Sequence, residues 1–174
     1  MYLTPKFSSK KFQECEPGEL IRFSRGSDSA WGIVVTTDDD VKGNATFFTE
    51  AIDVVSTWQV RNYNIRGASV LSFGLDWTIN ITDPVNGRGS ENLVEGAIIL
   101  SFDDGLYIHA MRVAPSGEMD PALVNLNTFE CSFLDAALPE GKNSFRDWSI
   151  NVGSCIGHDF IRLQTIPAET TGMH

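Results

Sequence analysis

The chain has 174 residues, and its 13 basic and 23 acidic side chains give a net charge of −10. A chain of this length suggests one domain, or at most two small ones, and buries enough surface to fold without metals or disulfides. The acidic excess argues against nucleic acids and anionic membranes as ligands, because both are bound through lysine and arginine.

The three cysteines, Cys15, Cys131 and Cys155, form no CxxC pair, and an odd count without paired spacing does not indicate a disulfide framework. The N-terminus lacks the apolar run of a signal peptide, and no stretch reaches the roughly 18 apolar residues of a membrane-spanning helix. These features predict a cytoplasmic protein.

Residues 1–12 contain Lys6, Lys10 and Lys11, and their composition predicts a flexible basic arm. A single all-β domain is expected over 13–166, followed by a loose tail over 167–174.

The first predicted element is a hairpin, in which residues 19–25 and 30–37 flank a four-residue or slightly longer turn around GSDS. A charged loop follows over 36–44. The segment 51–60 is rich in β-branched residues and favours a strand, although Thr49 could instead cap a helix there.

The segment 76–82 predicts a half-buried strand, because Trp77, Ile79 and Ile81 alternate with polar residues. Residues 96–113 predict a hairpin that turns at Asp104–Gly105. Asp120 followed by a proline resembles a helix cap, and therefore predicts a short helix over 121–127. Further strands are expected at 128–133, 148–152 and 158–166.

About ten short strands with glycine-rich turns predict an all-β, mainly antiparallel fold: a β-sandwich or a small β-barrel with at most one or two short helices. Two internal similarities stand out, between 67–73 and 96–102 and between 76–81 and 147–152. Their offsets differ and define no single period, so the sequence leaves an internal duplication open.

The stretch GSCIGHDF, residues 153–160, is a candidate catalytic site. A nucleophilic Cys155 would need His158, or His109 from another strand, as its base. An offset of three sends the two neighbouring side chains to opposite faces of a continuous strand. A buried cysteine that acts as a small hydrophobe is therefore the favoured interpretation.

The remaining chemical candidates are acidic and aromatic. Asp38, Asp39 and Asp40, and also Asp103 and Asp104, lie in predicted loops, where solvated or turn-forming carboxylates are expected. No metal-ligand spacing and no phosphate-binding glycine motif occurs, so neither a metal nor a cofactor is predicted. Trp31 beside Gly32, at a loop edge, is the tryptophan expected to be most accessible.

These patterns predict a non-enzymatic acidic β-domain that binds another protein, such as an adaptor, an accessory protein or an inhibitor of a basic partner, with Trp31 and the loop aspartates as binding residues. One alternative is a cysteine-dependent hydrolase or transferase. A second is carbohydrate binding through an exposed tryptophan. A homodimer formed through a sheet edge is also compatible with the sequence.

Overall fold

The computed structural model describes residues 7–25, 28–37, 45–49, 58–61, 68–82, 95–101, 105–113, 116–133, 143–146 and 148–152. These residues form thirteen strands and one 3-10 turn over Phe12–Glu14, which confirms the predicted all-β class. None of them belongs to a helix long enough to cross a lipid bilayer. The strands are β1 Ser8–Lys11, β2 Leu20–Arg25, β3 Asp28–Thr37, β4 Ala45–Thr49, β5 Trp58–Arg61, β6 Ser69–Ser72, β7 Trp77–Ile81, β8 Ile98–Ser101, β9 Gly105–Val113, β10 Met119–Asn125, β11 Glu130–Phe133, β12 Asn143–Phe145 and β13 Trp148–Val152.

Six strands pair in a closed cycle, which we call the ring. Its order is β3–β4–β5–β9–β10–β11 and back to β3. Four of the six pairings are antiparallel, and the β5–β9 and β11–β3 pairings are parallel. The whole sheet is not a simple barrel, because further strands continue outward from β3 and from β9.

The first wing leaves the ring at β3 and consists of β2, β6 and β1. The second wing leaves the ring at β9 and consists of β8 and β12. Strands β7 and β13 pair antiparallel as a separate two-stranded sheet. Tryptophan side chains from both of these strands pack against the main core or belong to it.

The pairings of β2 to β7 recur in β8 to β13, so the chain contains two topologically equivalent halves. In each half a hairpin opens the unit, the next two strands follow antiparallel, and a fifth strand returns beside the first. The two halves also pair with each other through parallel strands, β5 with β9 and β11 with β3. Residues at the same place in this pattern are called counterparts below.

Backbone hydrogen bonds show the same repeat at atomic detail. Gly18 N–H donates to Val34 O at 2.7 Å, and its counterpart Gly96 donates to His109 O at 2.7 Å. Both glycines have positive φ angles, of 90° and 81°, in the left-handed region that side chains disfavour.

A tryptophan near the end of each half makes the same hydrogen bond. Trp77 Nε1 donates to Gly18 O at 2.8 Å, and its counterpart Trp148 donates to Gly96 O at 2.9 Å. The indole of Trp148 packs against Trp58 with ring centroids 4.9 Å apart. The last strand of the second half therefore packs against β5 of the first half.

Only one of the two internal sequence similarities corresponds to the structural repeat. Residues 76–81 and 147–152 cover β7 and β13, which are counterparts and pair with each other. Residues 67–73 and 96–102 cover β6 and β8, which are not counterparts, since β6 corresponds to β12 and β8 to β2.

Two apolar clusters stabilise the fold. The larger one fills the ring and contains side chains from both halves, including Leu20, Ile33, Ile98 and Ile108. The smaller one lies on one face of the first wing and consists of Phe12, Cys15, Ile21, Phe23, Ala30, Val34 and Val70. The alternation of Leu20 and Ile21 between the clusters follows from the two-residue period of a strand.

The predicted helix over 121–127 is wrong, because residues 121–125 form the greater part of β10, which pairs with β9 and β11. Buried Ala122, Leu123 and Val124 are sandwiched between two strands. Pro121 precedes the residues of β10 that pair with β11, so it is paired only with β9 on its other side. A strand tolerates proline where one edge is unpaired. Tertiary pairing thus overrides the local resemblance to a helix cap.

Other predictions are refined. The half-buried strand is confirmed, since Trp77, Ile79 and Ile81 are partly buried while Thr78 and Asn80 are exposed. The first hairpin is tighter than predicted, because Arg25 pairs with Asp28 and two residues connect the strands.

Part of the predicted N-terminal arm belongs to the sheet. Residues 8–11 form β1, which pairs antiparallel with β6, and Phe12 is buried in the smaller cluster. The predicted strand over 158–166 and the predicted tail over 167–174 lie outside the described residues.

Candidate functional site

The exposed face of the first wing carries a row of four paired residues. Ser9 of β1 pairs with Leu71 of β6, Leu71 pairs with Arg22 of β2, and Arg22 pairs with Trp31 of β3. Directly paired residues project to the same side of a sheet. Their side chains therefore form one continuous surface, opposite the face that holds the smaller apolar cluster.

The guanidinium of Arg22 is held in place within this row. Its Nε and Nη2 donate to Ser29 Oγ at 3.2 and 2.8 Å. Its central carbon lies 5.5 Å from the centroid of the Trp31 ring, within the range of a cation–π contact. Arg22 is nevertheless exposed, so its charge remains available to a ligand.

Aromatic rings extend the surface beyond the row. The rings of Trp31 and Phe73 are 5.0 Å apart, and those of Phe73 and Phe7 are 5.8 Å apart. Phe7 is 54% exposed and Leu71 is 37% exposed, which is high for large apolar side chains. We call the surface formed by Phe7, Arg22, Trp31, Leu71 and Phe73 the wing face.

An open groove of about 180 Å³ borders the wing face at Arg22 and Leu71. This volume is well below the roughly 300–1,000 Å³ of typical small-molecule pockets, so it fits a side chain better than a cofactor. The groove is lined by Ser9, Arg22, Phe23, Ser24, Ser29, Ser69, Val70 and Leu71.

The opposite side of the first wing is fixed by a buried carboxylate. Glu19 accepts hydrogen bonds from Lys10 Nζ at 2.6 Å and from Ser72 Oγ. Burial alone would raise the pKa of Glu19, but the hydrogen bonds from Lys10 and Ser72 outweigh it and lower this pKa. The hydrogen bond to Glu19 raises the pKa of Lys10. This ion pair joins β1 to the residue just before β2, on the side of the first wing opposite the wing face.

The second wing has the same scaffold but a different surface. The counterparts of Arg22 and Trp31 are Leu100 and Leu106, which pair in the same register. The counterpart of Leu71 is Asn143. The fold therefore does not require the guanidinium and the indole of the wing face, because the second half is built without them.

Among the predicted binding residues, the structure places Trp31 on the wing face, where it is half-buried. Trp58 and Trp148 are buried, at 1% and 3% exposure, and Trp77 is half-buried. Asp38, Asp39, Asp40, Asp103 and Asp104 lie outside the described residues, just after β3 and β8 end.

The predicted cysteine site is placed only in part. Cys155 and His158 lie outside the described residues, whereas His109 lies in β9 and is 7% exposed. The neighbours of His109 in sequence, Ile108 and Ala110, belong to the main core together with Cys131. Alternation along β9 therefore directs His109 to the face away from Cys131.

The remaining described cysteine is unsuited to nucleophilic chemistry. Cys15 is buried in the smaller cluster, and its Sγ donates to Lys11 O at 3.7 Å. Burial raises the pKa of Cys15 to about 11, so the thiol stays protonated at neutral pH. Within the described ranges, no group of three His, Cys, Asp or Glu side chains could hold a metal ion.

The geometry around Trp31 bears on carbohydrate binding. A sugar stacks on an indole through a ring face, and Arg22 already lies over the Trp31 ring. Phe73 also packs against Trp31, with ring centroids 5.0 Å apart, so both neighbours of the indole lie within the chain itself.

Comparison of the chain with family models, curated proteins and solved structures found no match.

Sequence reasoning missed most of the wing face. It selected Trp31 because of its loop-edge position, but not Arg22, Leu71, Phe73 or Phe7. The available signal was in β2, where Arg22 alternates with the apolar residues Ile21 and Phe23. A cation on the same side as buried Leu20 indicates that this side becomes exposed towards the end of the strand.

Proposed function

We propose that this protein is a non-enzymatic β-domain that binds another protein through the wing face of its first half. The observation that carries the proposal is the difference between counterparts. Arg22, Trp31 and Leu71 occupy positions where the second half has Leu100, Leu106 and Asn143 on the same scaffold. A surface that the fold does not need, yet that exposes large apolar groups, is best explained by a partner.

The composition of the wing face fits a protein interface. Tryptophan and arginine dominate the binding energy at such interfaces, and they act best when surrounded by groups that exclude water. Phe7 and Leu71 supply exposed apolar area, and serine hydroxyls of the groove supply a polar rim. Strand pairing places Leu71, Arg22 and Trp31 in one row, and a preformed surface lowers the entropy cost of binding.

Site-specific photo-crosslinking tests this proposal. A photoreactive amino acid replaces Leu71, which is 37% exposed, and in a matched control it replaces Leu100, which is 43% exposed on the second wing. In an extract of the native host, the Leu71 derivative is expected to yield a discrete protein adduct that the Leu100 derivative does not.

A second variant keeps the test specific to the surface. Trp31→Leu introduces the residue type of its counterpart, Leu106, and is therefore compatible with the scaffold. It is expected to abolish the adduct from position 71 while the far-UV circular dichroism spectrum stays unchanged. Equal adducts from positions 71 and 100, or adducts that persist in Trp31→Leu, would contradict the proposal.

A further inference from the structure

The groove that Arg22 and Leu71 line has one cationic side chain and no acidic one among its lining residues. We infer that the partner inserts a segment in which a carboxylate side chain meets Arg22 while an adjacent apolar side chain packs on Trp31 and Leu71. This inference rests on the proposed function, because it assigns the chemistry of the partner at the same surface.

Arg22 is prepared for such a contact. Of its five N–H groups, the two that donate to Ser29 Oγ fix the plane of the guanidinium, and the cation–π contact with Trp31 supports one side of it. The other N–H groups remain in a fixed fork, the geometry that matches a carboxylate with two parallel hydrogen bonds. Little side-chain entropy is then lost when the ligand binds.

The charge balance favours a carboxylate over a phosphate group. Arg22 is the charged residue that lines the groove, and a single guanidinium neutralises a carboxylate but not a dianionic phosphate. Lys11 lies at the edge, where its Nζ donates to Ser69 Oγ at 3.2 Å. The net charge of −10 had favoured a basic partner, but charges beyond about 8 Å are largely screened at physiological salt. The local cation therefore decides the contact.

The apolar part of the segment follows from the neighbours of Arg22. Leu71 and Trp31 flank the guanidinium in direct register, one on each side. Leu71 is 37% exposed, so a partner side chain that covered it would remove apolar surface from water. The groove volume of about 180 Å³ is enough for one or two side chains. The expected motif is thus an aspartate or glutamate next to a large apolar residue.

A displayed library of random short peptides supplies the probe. The full chain is the bait, and Arg22→Leu is the paired bait, because the counterpart Leu100 shows that the scaffold accepts leucine there. Leu100→Ala on the second wing is the control for an unrelated surface change. We expect peptides with the acid–apolar motif to be enriched on the wild-type chain and on Leu100→Ala, but not on Arg22→Leu.

A double-mutant cycle then tests the contact itself. The selected peptide and its amide version, Glu→Gln or Asp→Asn, are titrated against wild type and Arg22→Leu. On wild type, loss of the carboxylate is expected to weaken binding about 10- to 150-fold, as for a hydrogen bond between charged groups. On Arg22→Leu the two peptides are expected to bind equally, since the energies of contacting groups are not additive. Arg22→Lys keeps the positive charge but loses the planar fork. The difference in affinity between the two peptides is therefore expected to be smaller on Arg22→Lys than on wild type and larger than on Arg22→Leu.

The outcomes separate this inference from the proposed function. The carboxylate assignment is overturned if the affinities of the two peptides differ by the same factor on wild type and on Arg22→Leu. It is also overturned if phosphorylated versions of the peptide bind more tightly than the carboxylate peptide. The wing face stands as a protein-binding surface in that case, provided that Trp31→Leu abolishes binding. If the selected peptides bind Trp31→Leu and Arg22→Leu as well as they bind wild type, both conclusions fail.

Discussion

The two tryptophans that close the halves allow a matched test of the repeat. Each indole N–H donates to the carbonyl of a glycine with positive φ, at 2.8 Å for Trp77 and 2.9 Å for Trp148. Phenylalanine keeps an aromatic ring at the site but removes the donor. The two substitutions therefore delete the same hydrogen bond in two different environments.

The environments predict different losses of unfolding free energy. Trp148 is 3% exposed, so Trp148→Phe leaves a buried acceptor unpaired and a small cavity, and costs about 2–4 kcal/mol. Trp77 is half-buried, so water can replace the lost donor, and Trp77→Phe costs about 1 kcal/mol.

Guanidinium unfolding followed by far-UV circular dichroism measures both free energies without relying on tryptophan emission. In thermal unfolding the same losses correspond to roughly 2–4 °C per kcal/mol for a chain of this size. We expect the loss of unfolding free energy to be larger for Trp148→Phe because its hydrogen bond is more buried. Equal losses for the two variants, or a larger loss for Trp77→Phe, would refute this reasoning.

Three further predictions concern the first half. Because hydrogen bonds lower the pKa of Glu19, its stabilising effect is present above the ordinary pKa and is lost as pH falls through the lowered one; Glu19→Gln should cost about 1–3 kcal/mol at pH 7 in thermal unfolding, and this cost should shrink as the pH falls below the ordinary pKa of 4.5. With a pKa of about 11, Cys15 should react with iodoacetamide at pH 8 about 100-fold more slowly than an ordinary thiol, and at the ordinary rate once the chain is unfolded. Gly18→Ala should destabilise far more than Gly74→Ala in chemical unfolding, because both positions have positive φ but only the first would place a methyl group against the Phe129 ring.

The sequence predicts the fold class and several strands because their signals are local. Trp77, Ile79 and Ile81 alternate with polar residues, and this pattern alone determines which face of β7 is buried. Gly105, predicted to adopt a positive φ at the second hairpin, has a φ of 107°. Such features depend on neighbours within a few residues and can be read directly.

Features that depend on distant partners could not be predicted. The segment from Pro121 onwards is a strand because β9 and β11 flank it, and nothing in its own residues identifies those strands. The parallel pairing of β5 with β9 joins residues about fifty positions apart in the chain. The repeat was visible in the sequence only between β7 and β13, because counterparts such as Arg22 and Leu100 share a position in the sheet but no chemical similarity.

The candidate site shows why a repeat is informative when no relative can be compared. Two halves with the same pairings separate what the fold requires from what one half adds. Gly18 with Gly96, and Trp77 with Trp148, are the same residue type in both halves because each pair forms the same hydrogen bond. Arg22 and Trp31 have no such match, although their backbone positions are equivalent. The stability of the fold does not explain a solvent-exposed guanidinium stacked on an indole, because leucines occupy the equivalent positions in the second half. We propose that their presence in the first half serves a contact with a partner protein.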